Sequence, residues 1–335
     1  MDEATIIPLH GLNPAAARRR GGGPPPGASG ADVLAMPGAP TESPTEPSEE
    51  AAAETPNWEP RLGDALEFLR RRVAGDYRID EFGFDADLTD HVALPMFRPL
   101  YDKWFRVEVN GVDNIPGEGG ALLVANHAGG LWALDAAMTA VAVHVEHPAR
   151  RYLRMLAADL MFALPAMGTF VRRTGGTLAC SEDAERLLRA GEIVGVWPEG
   201  YKGIGKHFRE RYKLQRFGRG GFVHAAIKAG VPIIPVSIVG SEEIHPVLGH
   251  AKILARLLNV PYFPITPTFP WLGPLGLVPL PSKWYIEFGT PIHAEELDRD
   301  AADDASLVFD LADRVRETIQ STLFRLLVQR RSTWR

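Results

Sequence analysis

The chain has 335 residues, 45% hydrophobic and 23% charged, with a formal net charge of −6. That length holds one large domain or two small ones, and that balance is the one expected of a folded core in water. The first 57 residues carry eight acidic residues and three arginines, so the rest is nearly neutral, which argues against a nucleic-acid partner bound through a broadly basic surface. The single cysteine, Cys180, permits no intrachain disulfide and fits a reducing compartment. It reads as a small packed side chain rather than a nucleophile.

In chain order, residues 1–57 run through GGGPPPGASG and TESPTEPSEEAAAETP. Such segments bury too little apolar surface to offset the entropy of ordering, so a disordered tail is expected. Its arginines are followed by no apolar run and make no secretory signal. The folded part is expected over 58–335: N-terminal helices over 58–106, an α/β core over 107–291 and a C-terminal helix within 292–335. RLGDALEFLRRRVAG has helical spacing at Leu62, Leu66 and Leu69, and LPMFRPLYDKWF reads as an aromatic-rich helix. ALLVAN reads as a buried strand, LDAAMTAVAVHV as a helix, TFVRR as a short strand, and SEDAERLLRAG as a helix opened near Ser181 and closed by Gly191. EIVGVWP is a strand ending at Pro198, GGFVHAAIKAG a helix, VPIIPVSIVG and KWYIEFG strands. Val308, Leu311, Val315, Ile319, Leu323 and Leu326 share one side of a last amphipathic helix. No internal repeat appears. Alternating strands and helices predict an α/β fold with a mainly parallel central sheet flanked by helices. No apolar run is long enough to span a bilayer.

In an open α/β sheet, ligands gather beyond the carboxyl ends of the strands. His127 follows ALLVAN, Glu199 and Gly200 follow EIVGVWP, and Arg172 and Arg173 close GTFVRR, so a parallel sheet brings them to one end. A neutral histidine takes a proton near neutral pH, and a carboxylate on its other nitrogen fixes the tautomer. His127 and Asp135 supply such a pair, with Gly129 and Gly130 allowing a tight turn between them. Spacing supports equally the plainer reading, in which His127 caps a strand end and Asp135 caps the next helix.

NHAGGLWALD, GTFVRR, WPEG and VPIIPV, in this order, resemble the four sequence blocks of the glycerolipid acyltransferases, the group that contains 1-acylglycerol-3-phosphate acyltransferase. The resemblance covers residues 107–291. It implies a glycerol-3-phosphate acyltransferase-like fold and transfer of a fatty acyl group from acyl-CoA or an acyl-carrier protein to a hydroxyl of a glycerolipid or lysophospholipid. By this resemblance His127 is the general base and Asp135 its partner. Glu199, Gly200 and Lys202 of the third block, with Arg172 or Arg173 of the second, hold the acceptor. Val231, Pro232 and Pro235 form the apolar fourth block beside the acyl chain. Backbone donors near Gly200 are expected to meet the developing oxyanion. No cofactor is implied beyond the thioester co-substrate.

Two features depart from the family pattern. Seven residues rather than four separate His127 from Asp135, and the family's aspartate position is Trp132. The third block continues with Tyr201 and Lys202 where threonine and arginine are usual; lysine is a point charge without arginine's bidentate fork. The second departure favours a neutral acceptor such as diacylglycerol. The first is the main support for an alternative, a catalytically silent lipid-binding or scaffold protein of the same fold.

Other signals are weaker. Gly200, Gly205 and Lys206 match most of a phosphate-binding loop, but His207 stands where its Ser or Thr belongs. His144 and His147 have helical spacing and read as a polar helix end rather than a metal site. Arg216 and Arg219 precede a helix start, which suits either an anion or a solvated loop. Residues 261–281 contain seven prolines, with Phe263, Phe269 and Trp271 among them. With Phe97 and Trp104 they are candidates for contact with a membrane interface, or for a lid. The expectation is a peripheral protein on the cytoplasmic face of a membrane.

Overall fold

The computed structural model describes residues 58–335 except 164, 165, 219, 259, 261, 331 and 335, and omits the side chains of residues 58–62 and 131. The expected tail, residues 1–57, and Arg219 lie outside the described residues. The strands are β1 (Glu108–Asn110), β2 (Ala121–Ala125), β3 (Leu153–Ala157), β4 (Gly176–Leu178), β5 (Ile193–Val196), β6 (Ile233–Val239), β7 (Gly249–His250), β8 (Pro264–Ile265) and β9 (Tyr285–Phe288). A seven-stranded sheet has the order β1-β9-β6-β2-β5-β3-β4, and β7 pairs β8 apart from it. β6, β2, β5, β3 and β4 are mutually parallel. β9 lies antiparallel to β6 and β1 parallel to β9. The sheet is therefore mainly parallel, as expected. The chain leaves β6 at the sheet's carboxyl end and, after the segment that carries β7 and β8, returns along its neighbour, which makes β9 run the other way.

The principal helices are α1 (Trp58–Ala74), α2 (Leu134–Glu146), α3 (Met167–Arg173), α4 (Ser181–Arg189), α5 (Gly221–Ala229) and α6 (Ala305–Gln329). Leu122 and Val124 of β2 face α4, α5 and α6 through Leu188, Ile227 and Ile319. Leu123 and Ala125 face the opposite layer with Met138 and Val143 of α2, Phe105 and Trp284. Side chains thus alternate between two cores, yet all five β2 residues are buried, so the strand reads as an apolar run without polar alternation. Asp304 caps α6 by accepting from Ser306 N (2.9 Å) and Leu307 N (3.2 Å). Five of the six predicted apolar positions of α6 are buried, with Leu311 half-buried.

Two elements differ from the sequence reading. TFVRR is not a strand but the end of α3, and the strand follows at Gly176. Thr169 and Val171 favour strand locally. Close packing decides otherwise: a Cβ on Gly168 would come within 2.6 Å of the Phe162 carbonyl, and Phe170 meets Phe97 at 6.5 Å between rings. Strand β3 was not legible because Arg154 interrupts its apolar pattern. That side chain is 1% exposed and bridges Asp80 (2.7 Å) and Glu192 (3.4 Å), which is how a buried guanidinium is tolerated.

Candidate active site

His127 emerges two residues after β2, at the carboxyl end of the sheet's parallel run. Asn126, between them, is fully buried and continues the ladder with its side chain: Oδ1 accepts from Ile238 N (2.7 Å) and Nδ2 donates to Ile238 O (3.0 Å). The segment carrying the histidine is thereby tied to β6 before it turns.

Asp135 reaches His127 across the longer loop. Its Oδ2 lies 2.6 Å from His127 Nδ1 and also accepts from Ala128 N at 2.9 Å, while Oδ1 accepts from Ala136 N at 3.0 Å. The three extra residues are taken up in a compact turn, with Leu134 N donating to Gly129 O (3.0 Å) and Ala133 N to Gly130 O (3.2 Å). Gly129 is required there, because a Cβ on it would lie 1.9 Å from Asp135 Oδ1 and 2.4 Å from Asp135 N. Asp135 sits in the first turn of α2, where backbone N–H groups favour a carboxylate. Of the two readings of Asp135, the histidine partner is the one realised; the helix N-cap is Ala133, and Asp135 lies inside the first turn. Burial opposes its ionisation. The charge and hydrogen bond of His127, with the two backbone donors, outweigh burial and hold the carboxyl below its usual range. An ionised Asp135 requires Nδ1 to carry the proton, so the neutral form of the ring presents the lone pair of Nε2.

Glu199, 72 positions from His127, binds it through the backbone: Oε1 accepts from His127 N at 2.9 Å. Its Oε2 accepts from Gln215 N (2.7 Å) and Lys206 Nζ (3.4 Å), and the side chain is fully buried. Glu199 thus locks the turn after β5 to the turn after β2. Gly200 adopts φ 56° and ψ −150°, a region essentially closed to other residues. Its N–H is taken by Trp197 O at 3.0 Å, so it is not itself an oxyanion donor. Lys202 is exposed on the short helical turn that follows.

The two arginines are not brought to His127. Arg173 meets Asp85 at 3.2 Å, and Arg172 stacks over Phe162 at 4.9 Å. The misread strand is the cause, since both lie at the carboxyl end of α3. Val231 is buried just before β6 and Pro232 half-buried. Pro235, within β6, stands in register with Val124 of β2, so the fourth block abuts the strand that carries the histidine.

A narrow, partly open cleft runs beside the pair and is lined by Ala128, Gly203, Lys206, Glu242, Tyr262 and Phe269 among others. It meets the histidine segment at Gly203, where a Cβ would lie 2.6 Å from the His127 carbonyl. Lys206 and Glu242 went unread as site residues; the only sequence signal was the incomplete phosphate loop. Lys206 is not free for a nucleotide, because its Nζ also binds Glu242 Oε1 at 3.0 Å and Lys213 O at 3.2 Å. Burial raises the Glu242 carboxyl to about 7 against the opposing pull of Lys206. Burial, then the Asp135 charge, push the Tyr262 phenol upward and keep it protonated.

The remaining candidates have structural partners. His147 Nε2 lies 3.0 Å from Ile115 O, and His144 stacks on Tyr152 at 4.8 Å. Arg216 lies over the Phe309 ring, and Cys180 precedes α4 as a half-buried free thiol.

The family model described as Acyltransferase matches residues 106–239. An uncharacterized protein of Mycobacterium tuberculosis is 57% identical over 279 residues, 83% of this chain and 78% of that one. A Gallus gallus protein named DGAT1/2-independent enzyme synthesizing storage lipids is 29% identical over 189 residues, 56% of this chain and 53% of that one. The crystal structure of the 1-acyl-sn-glycerophosphate acyltransferase of Thermotoga maritima aligns with 82% of this chain and 99% of that chain, with a TM-score of 0.49 and 18% identity.

Proposed function

The chain belongs to the glycerolipid acyltransferase family, and on that premise we propose that it moves a fatty acyl group from acyl-CoA or an acyl-carrier thioester to a lipid hydroxyl, with His127 as general base. The observation that carries this reading is the 2.6 Å contact between His127 Nδ1 and the fully buried Asp135 carboxylate beside a narrow cleft. Nε2 takes the proton of the acceptor hydroxyl, and the oxygen attacks the thioester carbonyl carbon. The resulting tetrahedral centre collapses with cleavage of the carbon–sulfur bond, and the thiolate leaves with the proton held by His127. Asp135 keeps the imidazole in the productive tautomer and stabilises the imidazolium. Glu199, through the His127 N–H, holds the ring's backbone in place. The longer spacing, which favoured a silent protein, does not separate the pair. Release of free CoA from acyl-CoA only when a lipid hydroxyl is supplied is the expected result; the absence of acceptor-dependent release over a broad panel would exclude the reading.

Action at a membrane surface goes with this function. No helix among the described residues is long and apolar enough to cross a bilayer. The segment between β6 and β9 lines the cleft with Tyr262 and Phe269 and exposes apolar side chains on its outside. Ile253 is 83% exposed, Leu257 77%, Trp271 72% and Leu275 73%. No acidic residue occurs from Ile244 to Ile286, so no negative side chain on this segment opposes docking by apolar burial. Of the aromatic residues singled out in the sequence, Trp271 is the strongly exposed one. Phe97, Phe263 and Phe269 are half-buried, and Trp104 donates to Pro279 O at 3.0 Å. Each anchor contributes roughly 1.5–3 kcal/mol when buried. The double substitution Ile253→Ser with Trp271→Ala should therefore weaken liposome co-sedimentation on the order of a hundredfold. Wild-type binding should largely persist in high salt; loss there would mark an electrostatic attachment instead.

A further inference from the structure

Resting on the acyltransferase reading above, we infer that the acceptor is an uncharged lipid alcohol, of the mono- or diacylglycerol class, and that the ion-pair clamp around Lys206 excludes acceptors carrying a phosphate. The starting point is what a phosphomonoester head group requires. It brings a charge of roughly −1.5 to −2 and strong acceptor oxygens, and it binds where free guanidinium, ammonium or backbone N–H donors converge. The cleft offers no such convergence. Lys206 is the only lysine or arginine among its lining residues. An ammonium has three donors, and the three acceptors around Nζ are all protein oxygens: Glu242 Oε1 at 3.0 Å, Lys213 O at 3.2 Å and Glu199 Oε2 at 3.4 Å. With a side chain only 4% exposed, Lys206 is packed between its partners rather than extended toward a ligand.

The balance of charge points the same way. Glu242 is the one carboxyl among the lining residues, and the buried carboxyl groups of Asp135 and Glu199 lie behind the end that carries His127, against one lysine. A phosphate entering there meets like charge at low local dielectric, where repulsion is strong. The cations that the sequence blocks would assign to a phosphate are elsewhere: Arg173 on Asp85, Arg172 over Phe162, and Lys202 exposed outside the cleft lining. What faces the cleft instead is neutral. Phe269, Val247 and Leu277 supply apolar wall, and the Tyr262 phenol has no hydrogen-bond partner among the described residues, so its O–H is available to an ester carbonyl of an acylglycerol.

The test uses the full chain, one acyl-CoA, and dioleoylglycerol or lysophosphatidate presented in the same neutral mixed micelles, with CoA release and acylated product both followed. The expected result is a kcat/KM for dioleoylglycerol at least about tenfold above that for lysophosphatidate. Glu242→Gln removes one of the two carboxylates on Lys206 and should raise the relative use of lysophosphatidate. Because that variant can lose stability, its melting temperature is measured alongside, and the wild-type ratio alone decides the inference. Equal or better use of lysophosphatidate by the wild-type chain overturns it. So does failure of both acceptors. In that last case, thioester turnover that still requires His127 leaves the general-base reading standing, whereas turnover that is absent or independent of His127 removes that reading too.

Discussion

Acyl transfer should fall roughly 10²- to 10⁴-fold on His127→Ala, with the fold retained, as is typical for loss of a general base. The histidine side chain is 13% exposed and stands in a turn rather than in either core. Its structural anchor is the backbone N–H to Glu199, which alanine preserves. Asp135→Asn should lose activity on a similar order for a different reason. An amide of the same shape cannot stabilise the imidazolium, and its N–H₂ group invites the wrong tautomer. Initial rates of CoA release, with circular dichroism melts to establish folding, check both. A folded His127→Ala chain turning over near the wild-type rate would falsify the assignment of the base.

The second large effect is on stability. Lys206→Met should cost about 3–5 kcal/mol, the usual result of removing one partner from a buried ion pair. Glu199 and Glu242 side chains are 0% and 3% exposed, so removing the ammonium leaves both buried carboxyl groups without their cation. The loss is pH-dependent with a definite sign. A buried carboxyl whose folded pKa is raised has its stability fully present below the unfolded value and loses it as pH rises through the folded one. Glu242 already stands near 7 with Lys206 in place, and without it the carboxyl rises further. The deficit should therefore be greatest above neutrality and shrink toward pH 5. Adding Glu242→Gln to Lys206→Met should recover part of it. Urea denaturation at pH 8 and pH 5 measures this, and an unchanged midpoint at pH 8 would show that the clamp carries no stability.

Several features follow from local sequence, each for a local reason. The apolar runs ending at Ala125, Val196 and Val239 become β2, β5 and β6 because strands buried on both faces need continuous apolar character. The spacing of Val308, Val315, Ile319, Leu323 and Leu326 determines the buried stripe of α6. His127 was legible as a candidate because it follows such a run, and the four-block pattern identified its company. Other features are decided by distant contacts. TFVRR forms helix because Gly168 and Phe170 pack against Phe162 and Phe97, and β3 exists because Asp80 and Glu192 neutralise Arg154. Sequence spacing left Asp135 undecided between cap and partner. The turn at Gly129, which only a glycine permits, brings its carboxylate to His127, while Ala133 occupies the N-cap. Lys206, 79 positions after His127 in the chain, became meaningful only when β5 and β6 delivered Glu199 and Glu242 to its ammonium. A charge's role depends on what lies within a few ångströms of it, and for buried ions that neighbourhood is made by tertiary structure.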